Sequence, residues 1–68
     1  MLKPLYPELV GNMAKRGETR ADLAKLLNIS ELSVINKLNG KSEFKLVEIE
    51  TLCKHYSIDY YELFKKSE

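Results

Sequence analysis

The stretch LAKLLNISELSVINKLNGK, residues 23–41, decides the fold, because it holds two short helical patterns separated by only NIS. Apolar residues recur at helical spacing on both sides of this interruption. Asn28 tolerates the left-handed conformation that can end a helix, and Ser30 is a typical helix N-cap. The stretch therefore predicts a helix that ends at Leu27, a tight turn, and a second helix over residues 31–39.

Size and composition indicate a single small domain over residues 1–68. A hydrophobic fraction of 44% and a charged fraction of 31% suit a soluble globular chain rather than a disordered one. The only cysteine, Cys53, has no intramolecular partner for a disulfide. No apolar run approaches the ~20 residues of a membrane span, and the N-terminus lacks the apolar segment of a signal peptide. We therefore expect a cytoplasmic protein without a membrane partner.

Helical signals fill the rest of the chain, and no run alternates with the period of two that is typical of a strand. Pro7 suits the first turn of a helix that ends near Gly17. Thr19 and Asp22 have the spacing of a capping box, and Asp59 can open a short last helix. The sequence thus predicts an all-α fold of five short helices, covering residues 7–16, 20–27, 31–39, 46–56 and a short segment after 59.

The fourth predicted helix carries a wide apolar stripe that should face the core. Its members are Leu46, Ile49, Leu52, Cys53 and Tyr56.

Two short helices joined by a three-residue link, about residues 19–39, form a helix-turn-helix. In DNA-binding proteins that use this motif, the first helix crosses the DNA backbone and the second lies in the major groove. Charge adds modest support: residues 1–45 hold eight basic and five acidic groups, whereas residues 46–68 hold three basic and five acidic groups. Many small helical proteins contain such helix pairs without binding DNA, so the pattern alone leaves DNA binding open.

The segment TRADLAKLLNISELSVINKLNGKSEFKLVEIETLCKHYSIDYYELF resembles the helix-turn-helix domains of phage lambda-type repressors and Cro proteins. The similarity runs from about Leu5 to Phe64 and includes Ala24, the turn NIS, the closing KLNGK, and the FKLVE that opens the fourth helix. Two positions depart from the family pattern: Asn28 stands where glycine is usual, and Lys45 where Ser or Thr often caps a helix. The resemblance implies a lambda repressor-like fold and a double-stranded DNA operator as partner.

Helical periodicity directs Val34 and Leu38 inward, so that Leu32 and Asn36 point most directly outward. An Asn side chain can bond to adenine N6 and N7, and a Leu can contact a thymine methyl. A carboxylate at the start of the helix can either accept from cytosine N4 or stabilise the helix N-terminus, and both readings stay open for Glu31. The resemblance implies base contacts from Glu31, Leu32, Ser33 and Asn36.

Phosphate contacts should come from helix ends and from basic side chains. The positions that lie at the start of the second helix, or at the end of the third and just after it, are Thr19, Arg20, Lys37, Asn39, Lys41 and Ser42.

Nothing in the sequence favours catalysis. Cys53 and His55 lie two residues apart on a helix and point in different directions, so they cannot readily share a metal. There is no glycine-rich phosphate loop and no nucleophile–base arrangement. We therefore expect no enzyme, no cofactor, no metal and no small-molecule ligand. An apolar group near the C-terminus can either form a homodimer contact or close the core; it comprises Tyr60, Tyr61, Leu63 and Phe64.

These observations favour a small sequence-specific transcriptional regulator, similar to Cro or a repressor, from a phage, prophage or mobile element. It would act by occluding an operator. The alternative is a protein-interaction module or antitoxin-like partner that uses the same fold without strong DNA binding. The net charge of only +1 and the acidic Glu31 support that alternative.

Overall fold

A computed structural model describes residues 4–67 as an all-α bundle, which confirms the predicted fold class. No strand occurs within this part of the chain. None of the helices among the described residues is both long and apolar enough to traverse a lipid bilayer. The five helices are α1 (Pro7–Lys15), α2 (Arg20–Leu27), α3 (Glu31–Leu38), α4 (Leu46–Tyr56) and α5 (Tyr60–Leu63).

Local capping explains where α2 and α3 begin. The Thr19 hydroxyl accepts from the Asp22 N–H at 3.2 Å, and the Asp22 carboxylate accepts from the Thr19 N–H at 2.8 Å. Ser30 Oγ accepts from the Ser33 N–H at 3.1 Å and so opens α3. Asn28, at φ 57°, ends α2 in the left-handed conformation. The predicted helix-turn-helix is therefore confirmed in its caps and in its turn.

The core lies where all five helices meet. Three aromatic rings, Tyr6, Phe44 and Phe64, pack edge to face with centroids 5.2–5.7 Å apart. Through these three rings the residue before α1, the loop before α4 and the end of α5 contact one another in the core. The fully buried aliphatic residues around them are Leu9, Leu23, Val34, Leu52 and Leu63.

One prediction about burial is wrong. Leu46, expected on the inner stripe of α4, is 72% exposed because it lies in the first turn, beyond the reach of the core. Of the apolar group near the C-terminus, Leu63 and Phe64 are buried and close the core, which is one of the two alternatives for this group. Tyr60 and Tyr61 from the same group stay exposed, at 51% and 83%.

Candidate DNA-binding surface

One side of helix α3 packs tightly against the body of the protein. Val34 is fully buried, and Leu38 packs against the core. On the opposite side Leu32 is 65% exposed and Glu31 is exposed, while Asn36 is partly buried. Of the four residues predicted to contact bases, Glu31 and Leu32 are thus exposed, whereas Ser33 and Asn36 are partly covered by the rest of the protein.

Ser33 contributes to this surface less freely than its position suggested. Its N–H donates to Ser30 Oγ, and its own hydroxyl oxygen lies 3.0 Å from Ser30 Oγ as an acceptor. The side chain is therefore engaged in the cap of α3.

Four of the residues predicted to contact phosphates remain available at the protein surface: Arg20, Asn39, Lys41 and Ser42.

Arg20 and Asn39 line one shallow pocket, so the start of α2 and the end of α3 lie close together. Gly40 turns the chain away from α3 at φ +82°, where a Cβ atom would lie 2.8 Å from a Leu5 methyl group. The N–H groups of Lys41 and Ser42 then donate to the Asn36 carbonyl, at 2.9 and 3.4 Å. The first part of the α3–α4 loop, residues 39–45, is thereby folded back on the last turn of α3.

Thr19 is exposed, but both of its donors are occupied. Its N–H and its hydroxyl lie 2.8 and 3.1 Å from Asp22 Oδ2. These bonds lower the pKa of the Asp22 carboxyl, the backbone bond more than the hydroxyl. Thr19 therefore orders the start of α2 and has no free donor for a phosphate.

Lys37 does not lie where a phosphate contact requires. Its side chain is buried, and its Nζ lies 2.7 Å from Glu48 Oε1 and 3.3 Å from the Glu43 carbonyl oxygen. The ammonium also sits 5.9 Å from the centre of the Phe44 ring. The prediction that Lys37 contacts phosphate is wrong, because its charge is neutralised inside the protein.

Glu48 also supplies the cap that Lys45 lacks. Its Oε1 accepts from the Lys45 N–H at 2.8 Å, which opens α4. Burial acts to raise the pKa of Glu48, but the hydrogen bonds from Lys37 and from the Lys45 backbone outweigh it and lower the pKa. Glu48 is therefore held as an anion.

A second polar cluster joins the loop before α2 to the end of α4. Glu18 accepts from the Tyr56 hydroxyl at 2.5 Å and lies 2.5 Å from His55 Nε2. Burial opposes ionisation of Glu18, but the hydrogen bonds from Tyr56 and His55 outweigh it and lower the pKa of Glu18. Burial, together with the bond to Glu18, raises the pKa of Tyr56. The Arg16 guanidinium lies 5.2 Å from the centre of the Tyr56 ring. His55 is thus a partly buried partner of Glu18.

Cys53, predicted to be a core residue, is partly buried and packs against the core. Burial raises the pKa of its thiol.

An exposed recognition helix, supported by a second helix and flanked by exposed Arg, Lys and Asn side chains, defines a helix-turn-helix DNA-binding domain. The family model described as the Cro/C1-type HTH DNA-binding domain matches residues 9–66, and the chain belongs to this family. The resemblance to lambda-type repressors and Cro proteins is thereby confirmed, and the domain is that of a DNA-binding regulator. No curated protein and no solved structure matches the chain significantly.

Proposed function

We propose that the protein is a sequence-specific transcriptional regulator that binds an operator through the exposed side of α3 and excludes RNA polymerase from an overlapping promoter. The observation that carries the proposal is Leu32, which is 65% exposed on a helix whose other face is buried. A large apolar side chain gains nothing from solvent, whereas the thymine methyl in the major groove is an apolar partner. Membership of the Cro/C1-type family supports the same reading.

Two residues beside Leu32 are assigned base contacts. Asn36 offers an amide that can bond to adenine N6 and N7 together. Glu31, exposed in the first turn of α3, either accepts from cytosine N4 or stabilises the helix N-terminus. Ser33 is assigned a smaller part in base contacts, because its hydroxyl oxygen already accepts a hydrogen bond from Ser30 Oγ.

The phosphate contacts are assigned to both ends of the helix-turn-helix. Arg20 lies at the start of α2, and Asn39 lies beside it across one shallow pocket. Lys41 and Ser42 follow α3 on the exposed part of the loop. Contacts of this kind position a protein on the duplex without reading sequence.

A second copy of the chain completes the proposed operator complex. Tyr60 and Tyr61 are exposed on α5, and Tyr60 borders an apolar groove that Leu46, Ile49 and Cys53 also line. Two-fold dimers of helix-turn-helix proteins bind half-sites about 34 Å apart, one turn of DNA. We assign the contact between copies to this groove and to the two tyrosines. The family resemblance supports an origin in a phage, prophage or mobile element.

Salt dependence of binding to mixed-sequence duplex DNA separates this function from a protein-interaction module that would use Leu32 and Ile35. A DNA-binding protein releases counterions, so its log Kd should change with log salt at about 0.9 per phosphate neutralised. Four or so phosphate contacts per copy predict a steep loss of affinity as salt rises. Negligible affinity at low salt would favour the interaction module.

Two substitutions test how α3 is oriented on DNA. Asn36→Ala should cost about 1–3 kcal/mol at the preferred site and relax preference at one base pair. Arg20→Ala should weaken binding to all sequences alike and reduce the salt slope. Unchanged sequence preference in Asn36→Ala would show that α3 meets DNA with another face, or does not meet it.

A further inference from the structure

One buried ion pair connects three segments of the chain. Lys37 belongs to the last turn of α3, and Glu48 to the first turn of α4. Their charged atoms lie 2.7 Å apart, with 7% and 4% of the two residues exposed. Lys37 also donates to the Glu43 carbonyl, and Glu48 accepts from the Lys45 N–H. The pair therefore binds the α3–α4 loop on both sides of Phe44.

The remaining loop residues have few other anchors. Phe44 places its ring in the core, and the N–H groups of Lys41 and Ser42 return to the Asn36 carbonyl. The side chains of Lys41, Ser42 and Glu43 are all exposed. The path of the loop between Gly40 and α4 is consequently set at one end by α3, and at the other by the buried Phe44 ring together with the ion pair.

We propose that Lys37 and Glu48 are positioning residues for DNA binding: they hold the α3–α4 loop so that Lys41 and Ser42 meet the phosphate backbone. This inference rests on the proposed function, because it assigns a task to the loop that the function places beside DNA. The buried lysine acts through the loop and not by touching a phosphate.

Energetics favour a positioning role over a purely stabilising one. Replacing a buried ion pair by apolar residues of similar volume is often neutral or stabilising, because two charges no longer have to leave water. Apolar residues can fill the space between α3 and α4, but they cannot bond to the Glu43 carbonyl or the Lys45 N–H. An apolar replacement should therefore keep the fold and lose the loop geometry.

The test compares the wild-type protein with Lys37→Met/Glu48→Leu. The double variant should unfold in urea at a midpoint no lower than that of the wild type. Its affinity for mixed duplex DNA should fall about tenfold, and its salt slope should decrease by about one phosphate. The Lys45 amide should exchange its hydrogen faster, because it has lost its acceptor. The control, Glu8→Gln/Lys15→Gln, removes one charge of each sign from exposed positions on α1 and should leave all of these quantities unchanged.

A thermodynamic cycle with Lys41→Ala separates positioning from general loosening of the fold. Lys41→Ala should weaken DNA binding several-fold in the wild-type background and scarcely at all in the double variant, since its contact is already lost there. Equal effects in the two backgrounds would overturn the inference. So would a folded double variant with wild-type affinity and salt slope.

Amide exchange in the wild-type protein provides a test that needs no variant to fold. The Lys45 amide should be protected nearly as well as the core amides of α4, and exchange at the rate of an unstructured peptide would overturn the inference. If wild-type protein binds no DNA while the Lys45 amide is protected, the proposed function fails and the anchoring of the loop stands.

Discussion

Two polar contacts attach the helix-turn-helix to α4, one at each end, and they differ in how far water reaches them. At the beginning, Glu18 bonds to His55 and Tyr56. At the end, Lys37 bonds to Glu48. The side chains of Glu18 and His55 are 19% and 28% exposed to solvent, whereas those of Glu48 and Lys37 are only 5% and 9% exposed.

This difference in burial gives the two contacts different consequences. Water can solvate Glu18 if a partner is removed, so the first contact is a moderate stabiliser. Glu48 has little such recourse, because only 5% of its side chain is exposed and, with Lys37 removed, its charge would be left without its buried counterion. Loss of a partner should therefore cost more at the end of α3 than at the entrance to α2.

The largest effect is expected from breaking the buried pair on one side. Lys37→Met should lower the free energy of unfolding by about 3–5 kcal/mol, because it leaves the Glu48 carboxylate buried without a counterion. Domains of this size are typically stable by only ~3–5 kcal/mol, so the variant should be largely unfolded at 25 °C. Urea unfolding followed by circular dichroism measures the change. A loss below about 1 kcal/mol would mean that water reaches Glu48 after all.

A smaller effect is expected at the other contact. Tyr56→Phe removes the hydroxyl that donates to Glu18 and should cost about 1–2 kcal/mol, at the lower end for a bond to a charged group because Glu18 keeps access to water. The same urea experiment measures it. Tyr61→Phe is the matched control: it keeps the ring that the proposed contact between copies uses and removes only a hydroxyl at an 83% exposed position, so the free energy of unfolding should not change. Equal changes in the free energy of unfolding of the two variants would show that the Tyr56 hydroxyl does not stabilise the fold.

The smallest effect is expected in the pH dependence of the unfolding free energy, compared between the wild-type protein and the double variant. Glu48 has a pKa below its ordinary value of 4.5 in the folded state. The unfolded chain therefore binds more protons than the folded one in this range, and stability that is complete above pH 4.5 is lost as the pH falls through the lowered pKa. Lys37→Met/Glu48→Leu lacks this linkage, so its unfolding free energy should decline less steeply between pH 6 and 3. Parallel curves would show that Glu48 does not titrate differently on folding.

The helix-turn-helix could be predicted from the sequence because its signals are local. Thr19 with Asp22, Asn28 and Ser30 all act within four residues of where they stand, and the structure places each as the sequence indicated. The exposure of Leu32 followed from helical periodicity once Val34 was recognised as a core residue.

The polar contacts to α4 could not be predicted, because each joins residues that are distant in the chain. Lys37 meets Glu48 eleven residues later, and Glu18 meets His55 thirty-seven residues later. Periodicity alone places a lysine beside Leu38 near the surface and cannot reveal a carboxylate from another helix. One feature of the sequence pointed to such a contact: α4 has no Ser or Thr cap, because Lys45 stands at that position. The side chain of Glu48 supplies the cap instead.

The most direct test of the central claim is selection of bound sites from a random pool of duplex DNA by the wild-type protein. We expect enrichment of one sequence with two-fold symmetry, with its half-sites about one helical turn apart. We also expect that Asn36→Ala enriches the same sequence with one position relaxed in each half-site. A pool that remains random after repeated selection at low salt would contradict the assignment of α3 as a DNA-reading helix.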